Sequence, residues 1–373
     1  MTRSHPLSVF NNNPFLFEMA LKDTGYTDNP EQPRINQDMD GLDIGRIIAE
    51  HKERYIVRID KGEFEAEITG NMRFTAENRS DYPAVGDWVA VKVYDPDLAI
   101  IHQILTRKSL LERQAVDKKG EKQVIAANID YAFIVQSADR DFNINRFERY
   151  LTICYSAGIE PIIVLSKTDL VSETELNDLL AEINTRIKKV EVIPLSNQTR
   201  DGYDKLESCL IKGKTYCFLG SSGVGKSTLI NNLSGREIMK TGSLSSSTKK
   251  GKHTTDHREL IVLENGSMLI DNPGMREVGI ADAEGGLETT FDMIIRFSAS
   301  CRFTDCTHTN EKGCAVIEAV EKGLISRASY DNYLKMEKEK ARFQTSIAEK
   351  RKKEKAFGKI CKEGTKYRKE RKY

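Results

Sequence analysis

The sequence predicts a multidomain chain: an N-terminal OB-like β-barrel, an α/β sheet built around a phosphate loop, and a small helical metal-binding module followed by a basic helical tail. Three observations carry this reading. Five short apolar alternations recur between residues 41 and 112; strand and helix patterns then alternate around a Gly-x-x-x-x-Gly-Lys-Ser loop; and three cysteines and a histidine fall within fourteen residues near the C-terminus. At 373 residues there is length for two or three domains, each with its own core. With 39% hydrophobic and 30% charged residues the composition is that of an ordinary soluble protein. No apolar run approaches the roughly 18 residues of a membrane span, and "MTRSHPLSVFNNNPF" lacks the layout of a signal peptide, so a cytoplasmic location is expected.

Residues 1–40 are polar, rich in Asn, Asp and Pro, and read as an extension. Over 41–112 the segments "GRIIAE", "RYIVRID", "EFEAEITG", "DWVAVKVY" and "AIIHQIL" are punctuated by Gly, Pro, Asn and Asp, which predicts a five-stranded barrel. Such a barrel grips nucleic acid in many proteins and is purely structural in others. After a polar joint, "RQAVDKKGEKQ", strands are expected at 130–137, 161–170, 189–196 and 214–220, and helices at 143–158 and 173–187. This alternation predicts a mostly parallel sheet with helices on both faces.

The strand "KTYCFLG" runs into "GSSGVGKST", Gly220, Ser221, Ser222, Gly223, Val224, Gly225, Lys226, Ser227 and Thr228. Glycines let the backbone curl so that successive N–H groups face a β-phosphate, and the helix after the loop adds its positive N-terminal dipole. Lys226 is expected on the β- and γ-oxygens and the Ser227 hydroxyl on Mg²⁺. Downstream, "RELIVLENGSMLIDNPG" reads as two strands turning at Asn265-Gly266. "DNPG" alone makes a good turn, but at the end of an apolar strand Asp271 is placed to hold magnesium-bound water, and Gly274 to donate its N–H to a γ-phosphate. Between loop and hairpin, the Ser-, Gly- and Lys-rich segment 241–257 reads as a switch ordered by its ligand or as a linker, with Thr254 or Thr255 supplying a hydroxyl to Mg²⁺.

The base-reading element lies upstream. "SKTD", Ser166, Lys167, Thr168 and Asp169, ends a buried strand, where α/β sheets place ligand contacts. A carboxylate there accepts both the N1–H and N2–H₂ donors of guanine, a pair adenine lacks. Lys167 would lie along the purine face, and a backbone N–H around Ser196, in "PLSN", would meet guanine O6. These residues resemble the N-K-x-D and S-A motifs of GTPases, with Ser166 in place of Asn, a residue that mainly braces neighbouring loops, and Asn197 in place of Ala. Ordinary GTPases run phosphate loop, switch, D-x-x-G, base reader. Here the base reader comes first, which is a circular permutation that preserves the sheet while moving the termini. It also sends Asp271–Gly274 almost directly into the C-terminal region, so that a hydrolysis-driven shift there can move a downstream domain.

Cys301, Cys306, His308 and Cys314 are spaced C-x₄-C-x-H-x₅-C. Three thiolates and an imidazole make a closed tetrahedral set suited to one structural Zn²⁺, stabilising a domain too small for its own core. Cys154, Cys209 and Cys217 sit on apolar elements and are assigned to packing. The net charge of +1 hides an asymmetry: the last 39 residues carry 16 Lys+Arg and 6 Asp+Glu, leaving −9 for the rest. A tail of +10 suggests a polyanionic partner such as RNA, and a merely solvated helix would look the same.

Taken together, residues 41–335 resemble the ribosome small-subunit-dependent GTPase A family, RsgA, also called YjeQ or YloQ. The resemblance implies a bacterial cytoplasmic GTPase, monomeric, that binds GTP or GDP with Mg²⁺ and acts late in small-subunit maturation. It implies contacts to ribosomal RNA through barrel, zinc domain and tail, and hydrolysis stimulated by the subunit. Expected boundaries are 41–112 for the barrel, 113–286 for the GTPase domain, 287–335 for the zinc-binding domain and 336–373 for the tail. Met275 stands where Ras-like enzymes carry a water-orienting Gln. The family carries G-x-H-T-T in the switch, matched by Gly251, His253, Thr254 and Thr255, which makes His253 a candidate catalytic residue beside Lys226. Two other readings stay open: a P-loop kinase or ATPase, against which Asp169 argues, and an RNA-binding protein that keeps GTP as a structural ligand.

Overall fold

The computed structural model describes residues 41–51, 54–114, 122–139, 142–237, 258–271 and 285–345. The N-terminal extension, His253, Thr254, Thr255, Gly274, Met275 and residues 346–373 lie outside them, as does the side chain of Asp271. The described residues divide into two compact units, one within Met1–Leu111 and Val124–Glu277, the other within Glu112–Gln123 and Val278–Tyr373.

In the first unit, β1 (Asp43–His51), β2 (Arg54–Ile59), β3 (Gly62–Ile68), β4 (Trp88–Asp95) and β5 (Leu98–Ile104) close in the order β1-β2-β3-β5-β4-β1, with α1 (Gly70–Thr75) between β3 and β4. The β3–β5 pair is parallel and the other pairs are antiparallel, so the barrel has OB-like topology. Alternation in "GEFEAEI" puts Phe64, Ala66 and Ile68 inward, against a core that includes Val57, Val91 and Ile101. The expected polar joint is partly strand: β6 (Leu110–Gln114) and β7 (Lys122–Ala127) pair as a two-stranded ribbon. The apolar half of "KQVIAA" is what carries β7, and its last four residues are buried.

The nucleotide sheet comes next with β8 (Tyr131–Ser137), β9 (Glu160–Ser166), β10 (Glu191–Pro194), β11 (Thr215–Leu219), β12 (Arg258–Val262) and β13 (Met268–Asp271). Its order is β10-β9-β8-β11-β13-β12, parallel except for β12. β8 is almost wholly buried, as a strand covered on both faces must be, and its apolar run needs no alternation. Among the described residues four helices accompany the sheet, α2 (Ile144–Ser156), α3 (Glu173–Arg186), the unforeseen α4 (Tyr203–Ser208), and α5 (Lys226–Ser234). Asn143 caps α2, and Ser172 with Glu175 forms a capping box on α3, which sets where those helices begin.

The barrel and the nucleotide sheet are continuous. β1 pairs with β12 through Ala49↔Glu259 and Glu50↔Arg258, making one sheet of eleven strands among the described residues. Beside this seam Arg46 of β1 is 2% exposed. Its guanidinium donates to Thr215 Oγ1 at 2.7 Å, approaches Met268 Sδ at 3.2 Å and lies 5.0 Å from the Trp88 ring centroid. Burial pushes its pKa down to about 10, with Asp130 and Asp87 holding it up against that.

The second unit contains α6 (Gly286–Thr290), α7 (Asp292–Ser298), α8 (Ala315–Glu321) and a helix over 327–345. Contrary to expectation it has an apolar core of its own, including Leu287, Phe291, Ile294, Val316 and Tyr330. The last helix runs past 335, where the tail was expected to begin, because Met336 and Phe343 are buried. Among the described residues no helix is long and apolar enough to cross a membrane.

Candidate functional site

The parallel strands β8, β9, β10, β11 and β13 point the same way, so the segments after them gather at one edge of the sheet, where α/β folds bind ligands. Phosphate loop and base reader are therefore neighbours in space despite their reversed order in the chain.

At the phosphate loop, Gly220 has φ +147°, and a Cβ there would stand 2.2 Å from the Val135 carbonyl oxygen of β8. Only glycine lets the chain leave β11 this close to its neighbour. Gly225, φ +97°, is the N-cap of α5, and its carbonyl accepts the first helical bond from Leu229 N at 2.9 Å. The Lys226 ammonium folds back over the loop, donating to Gly220 O at 2.7 Å and to Ser221 O. Those carbonyls hold the cation where phosphate oxygens are expected to compete for it.

The base-reading segment is braced on the loop. Ser166, 1% exposed, donates its hydroxyl to Val224 O at 2.6 Å. Ser at this position therefore makes the loop-bracing bond assigned to the Asn of the GTPase motif. Lys167 adopts φ +58°, caps a short 3-10 turn over Thr168–Leu170, and pairs with Asp139 at 3.0 Å. Asp169 is exposed, and its Oδ1 accepts from Ser196 Oγ at 2.6 Å. The buried Ser196 oxygen already accepts from Gln198 N and Thr199 N, each at 3.1 Å, so its single proton is committed to Asp169.

Of the backbone N–H groups around Ser196, that of Ser196 itself donates to Asp201 O at 3.0 Å and closes the turn after β10, which leaves a neighbouring amide as the donor expected for a base oxygen. Asp139, Tyr203 and Asn232 also border these loops, and no sequence motif marked them.

In the second unit the four ligand atoms of Cys301, Cys306, His308 and Cys314 lie within 4.8 Å of one another. Cys301 Sγ is 3.8 Å from Cys314 Sγ, and His308 Nδ1 is 3.6 and 3.5 Å from those two sulfurs. A tetrahedral zinc with Zn–S of about 2.3 Å and Zn–N of about 2.0 Å requires edges of about 3.8 and 3.5 Å. The Cys₃His set thus has the shape and chemistry of a zinc site. Burial pushes the His308 imidazole below its usual pKa, towards the neutral form a metal needs.

A family model described as RsgA GTPase matches residues 104–281. A small ribosomal subunit biogenesis GTPase RsgA 1 of Listeria innocua is 42% identical over 87% of this chain and 90% of its own length. Its namesake in Bacteroides thetaiotaomicron is 39% identical over 96% and 98%. This chain belongs to the RsgA GTPase family. The crystal structure of YjeQ from Thermotoga maritima aligns with a TM-score of 0.59 at 26% identity, covering 80% of this chain and 99% of that one. YloQ, described as a circularly permuted GTPase, aligns at 0.58 and 26%, covering 85% and 99%. As an RsgA-family member the chain is a GTP hydrolase with a circularly permuted nucleotide domain, as the order of its motifs required.

Proposed function

We propose that this GTPase acts on the small ribosomal subunit late in its maturation and hydrolyses GTP faster when bound to it. The observation that carries the ribosomal part of the reading is the likeness over most of the chain to small ribosomal subunit biogenesis GTPases, and the guanine part rests on the base-side geometry: an exposed carboxylate, Asp169, aimed by Ser196 at 2.6 Å beside a phosphate loop held by Ser166. Asp169 reads N1–H and N2–H₂ of guanine, Lys167 lies along the purine, and the Asn197 backbone amide, next to the engaged Ser196 amide, is the donor to O6. The amides of Gly220 to Thr228 and the Lys226 ammonium cradle the phosphates. Mg²⁺, when bound, neutralises β- and γ-oxygens, and Ser227, Thr254 or Thr255, and Asp271 would hold it directly or through water. Gly274 senses the γ-phosphate, and His253 is the candidate for orienting the attacking water, since Met275 cannot.

In this reading Cys301, Cys306, His308 and Cys314 hold one structural Zn²⁺, whose part is folding and not catalysis. Barrel, zinc module and tail contact ribosomal RNA, and the protein works as a cytoplasmic monomer. The proposed domain boundaries are those read from the sequence, with the folded C-terminal helix extended to 345. The test is GTP hydrolysis titrated with purified small subunits. A rate that rises and saturates with subunit concentration is expected; a rate indifferent to subunits would leave only a GTPase without that partner. Lys226→Ala should abolish turnover in both conditions. Asp169→Asn should lower the preference for GTP over ATP by about 10-fold or more, as the loss of a charge-assisted bond implies.

A further inference from the structure

Asn197, the residue after the aspartate-aiming Ser196, makes two bonds that reach across the site. Its Oδ1 accepts from the Tyr203 hydroxyl at 2.7 Å, and its Nδ2 donates to the Gly225 carbonyl at 3.2 Å. The Tyr203 oxygen in turn accepts from Asn232 Nδ2 at 2.7 Å. A carbonyl can only accept, so Gly225 fixes which end of the Asn197 amide faces it, and the other end must receive the phenol proton. The bonds form one directed chain, Asn232 to Tyr203 to Asn197 to Gly225, in which each link polarises the next. It leaves the C-terminal half of α5 and returns to that helix's N-cap. Tyr203 is 4% exposed and lies under the Arg200 guanidinium, 4.4 Å from the ring centroid, so the bridging hydroxyl has little room to wander.

These contacts bear on the phosphate loop through peptide geometry. C=O and N–H of a trans peptide point in opposite directions. Holding the Gly225 carbonyl on Asn197 turns the Lys226 amide the other way, and Ser166 does the same for the Gly225 amide through Val224 O. Gly225 has no side chain to prevent this, since a Cβ would sit 2.6 Å from Asn197 Nδ2.

We propose that Asn197, backed by Tyr203, is a positioning residue that couples the guanine-reading loop to the phosphate loop, so that base recognition and phosphate grip strengthen together. The inference rests on the base assignment above. Asn197 touches the reacting phosphates only through the loop; its role is to fix the orientation of the amides that do.

The experiment measures GDP, ADP and inosine diphosphate dissociation, and GTP KM and kcat, for the full-length chain and its Asn197→Ala, Asn197→Asp, Tyr203→Phe and Asn197→Ala/Tyr203→Phe variants. Losing one net hydrogen bond predicts GDP dissociation about 5-fold faster in Asn197→Ala, with KM raised similarly and kcat nearly unchanged. Asn197→Asp keeps the acceptor for Tyr203 but turns an anion on the Gly225 carbonyl, so it should bind at least as poorly. The double variant should be no worse than Asn197→Ala, because the two residues act in series. Inosine lacks the N2 donors, and the ratio between GDP and inosine diphosphate should shrink in Asn197→Ala, since the base contact no longer reaches the phosphates. A ratio equal to wild type, fully multiplicative single effects, or Asn197→Asp binding like wild type overturns the coupling. Wild-type protein without preference for GDP over ADP would overturn the base assignment itself. Wild-type preference alongside an Asn197→Ala variant indistinguishable from it sinks only this inference.

Discussion

The two units of the chain assemble their functional residues in opposite ways. In the first, groups distant in sequence meet at strand ends: Ser166 reaches Val224, 58 positions on, and Ser196 reaches Asp169, 27 positions back. The sheet does the assembling, and hydrogen bonds trim the result. In the second, all four candidate ligands come from one stretch of fourteen residues between short helices, and the groups brought together are three sulfurs and an imidazole. Such a set gains little from its own contacts and much from an ion that binds all four. A scaffold of strands should thus tolerate the loss of a polar group, whereas the candidate ligand cluster, with zinc bound as proposed, should not tolerate the loss of the metal.

The largest effect expected from this contrast is on metal removal. Structural zinc contributes about 10–16 kcal/mol of apparent binding energy in peptides that have no other core. Here Leu287, Phe291, Ile294 and Val316 supply a core, so the dependence should be smaller but still decisive. A strong chelator, or Cys314→Ala, should make residues 285–345 sensitive to limited proteolysis while GDP affinity stays at its starting value. Cys314 also accepts Ile317 N at 3.5 Å at the start of α8, so its loss frays that helix as well. GDP binding lost in step with the metal, or a protease-resistant module after chelation, would break the contrast.

Next in size is the seam between barrel and nucleotide sheet. Arg46→Ala removes a fully buried side chain together with its bond to Thr215 and its packing on Trp88, and should cost about 3 kcal/mol in urea unfolding. Arg46→Met keeps the volume and removes a charge that burial penalises, so about 1 kcal/mol or less is expected. If both variants cost the same, the guanidinium's bonds and not its bulk hold the seam.

The same contrast explains which features could be read from sequence. The Cys/His cluster and the phosphate loop are contiguous, so spacing alone reveals them. The barrel strands were legible because alternation is local, and the buried β8 because an unbroken apolar run is. Arg46 was not: nothing in "GRIIAE" tells an arginine buried against a strand 169 positions away from one in solvent. Asn197 looked like a departure from a motif, and its partners Tyr203 and Gly225 become visible only when β10, α4 and α5 are packed. Which amide around Ser196 is left for a base oxygen is hidden for a similar reason, since the Ser196 N–H is engaged by Asp201 O only in the folded turn. Ser166 carried a usable signal: a small polar residue ending a buried strand, where a brace was required.

That brace gives the smallest and sharpest test. Ser166→Ala leaves Val224 O without its 2.6 Å donor while leaving Asp169 and Ser196 in contact. An unsatisfied buried carbonyl costs about 1 kcal/mol, or roughly 5-fold in GDP dissociation. Because the Ser166 hydroxyl bonds the loop backbone while Asp169 keeps its separate bond from Ser196, GDP and ADP should weaken by the same factor, and the ratio between GDP and inosine diphosphate should stay at its wild-type value. Asn197→Ala should weaken GDP to a similar degree but shrink that ratio. Two substitutions of equal cost would then separate a brace from a coupling, and a ratio altered by Ser166→Ala would show that both serve one connection.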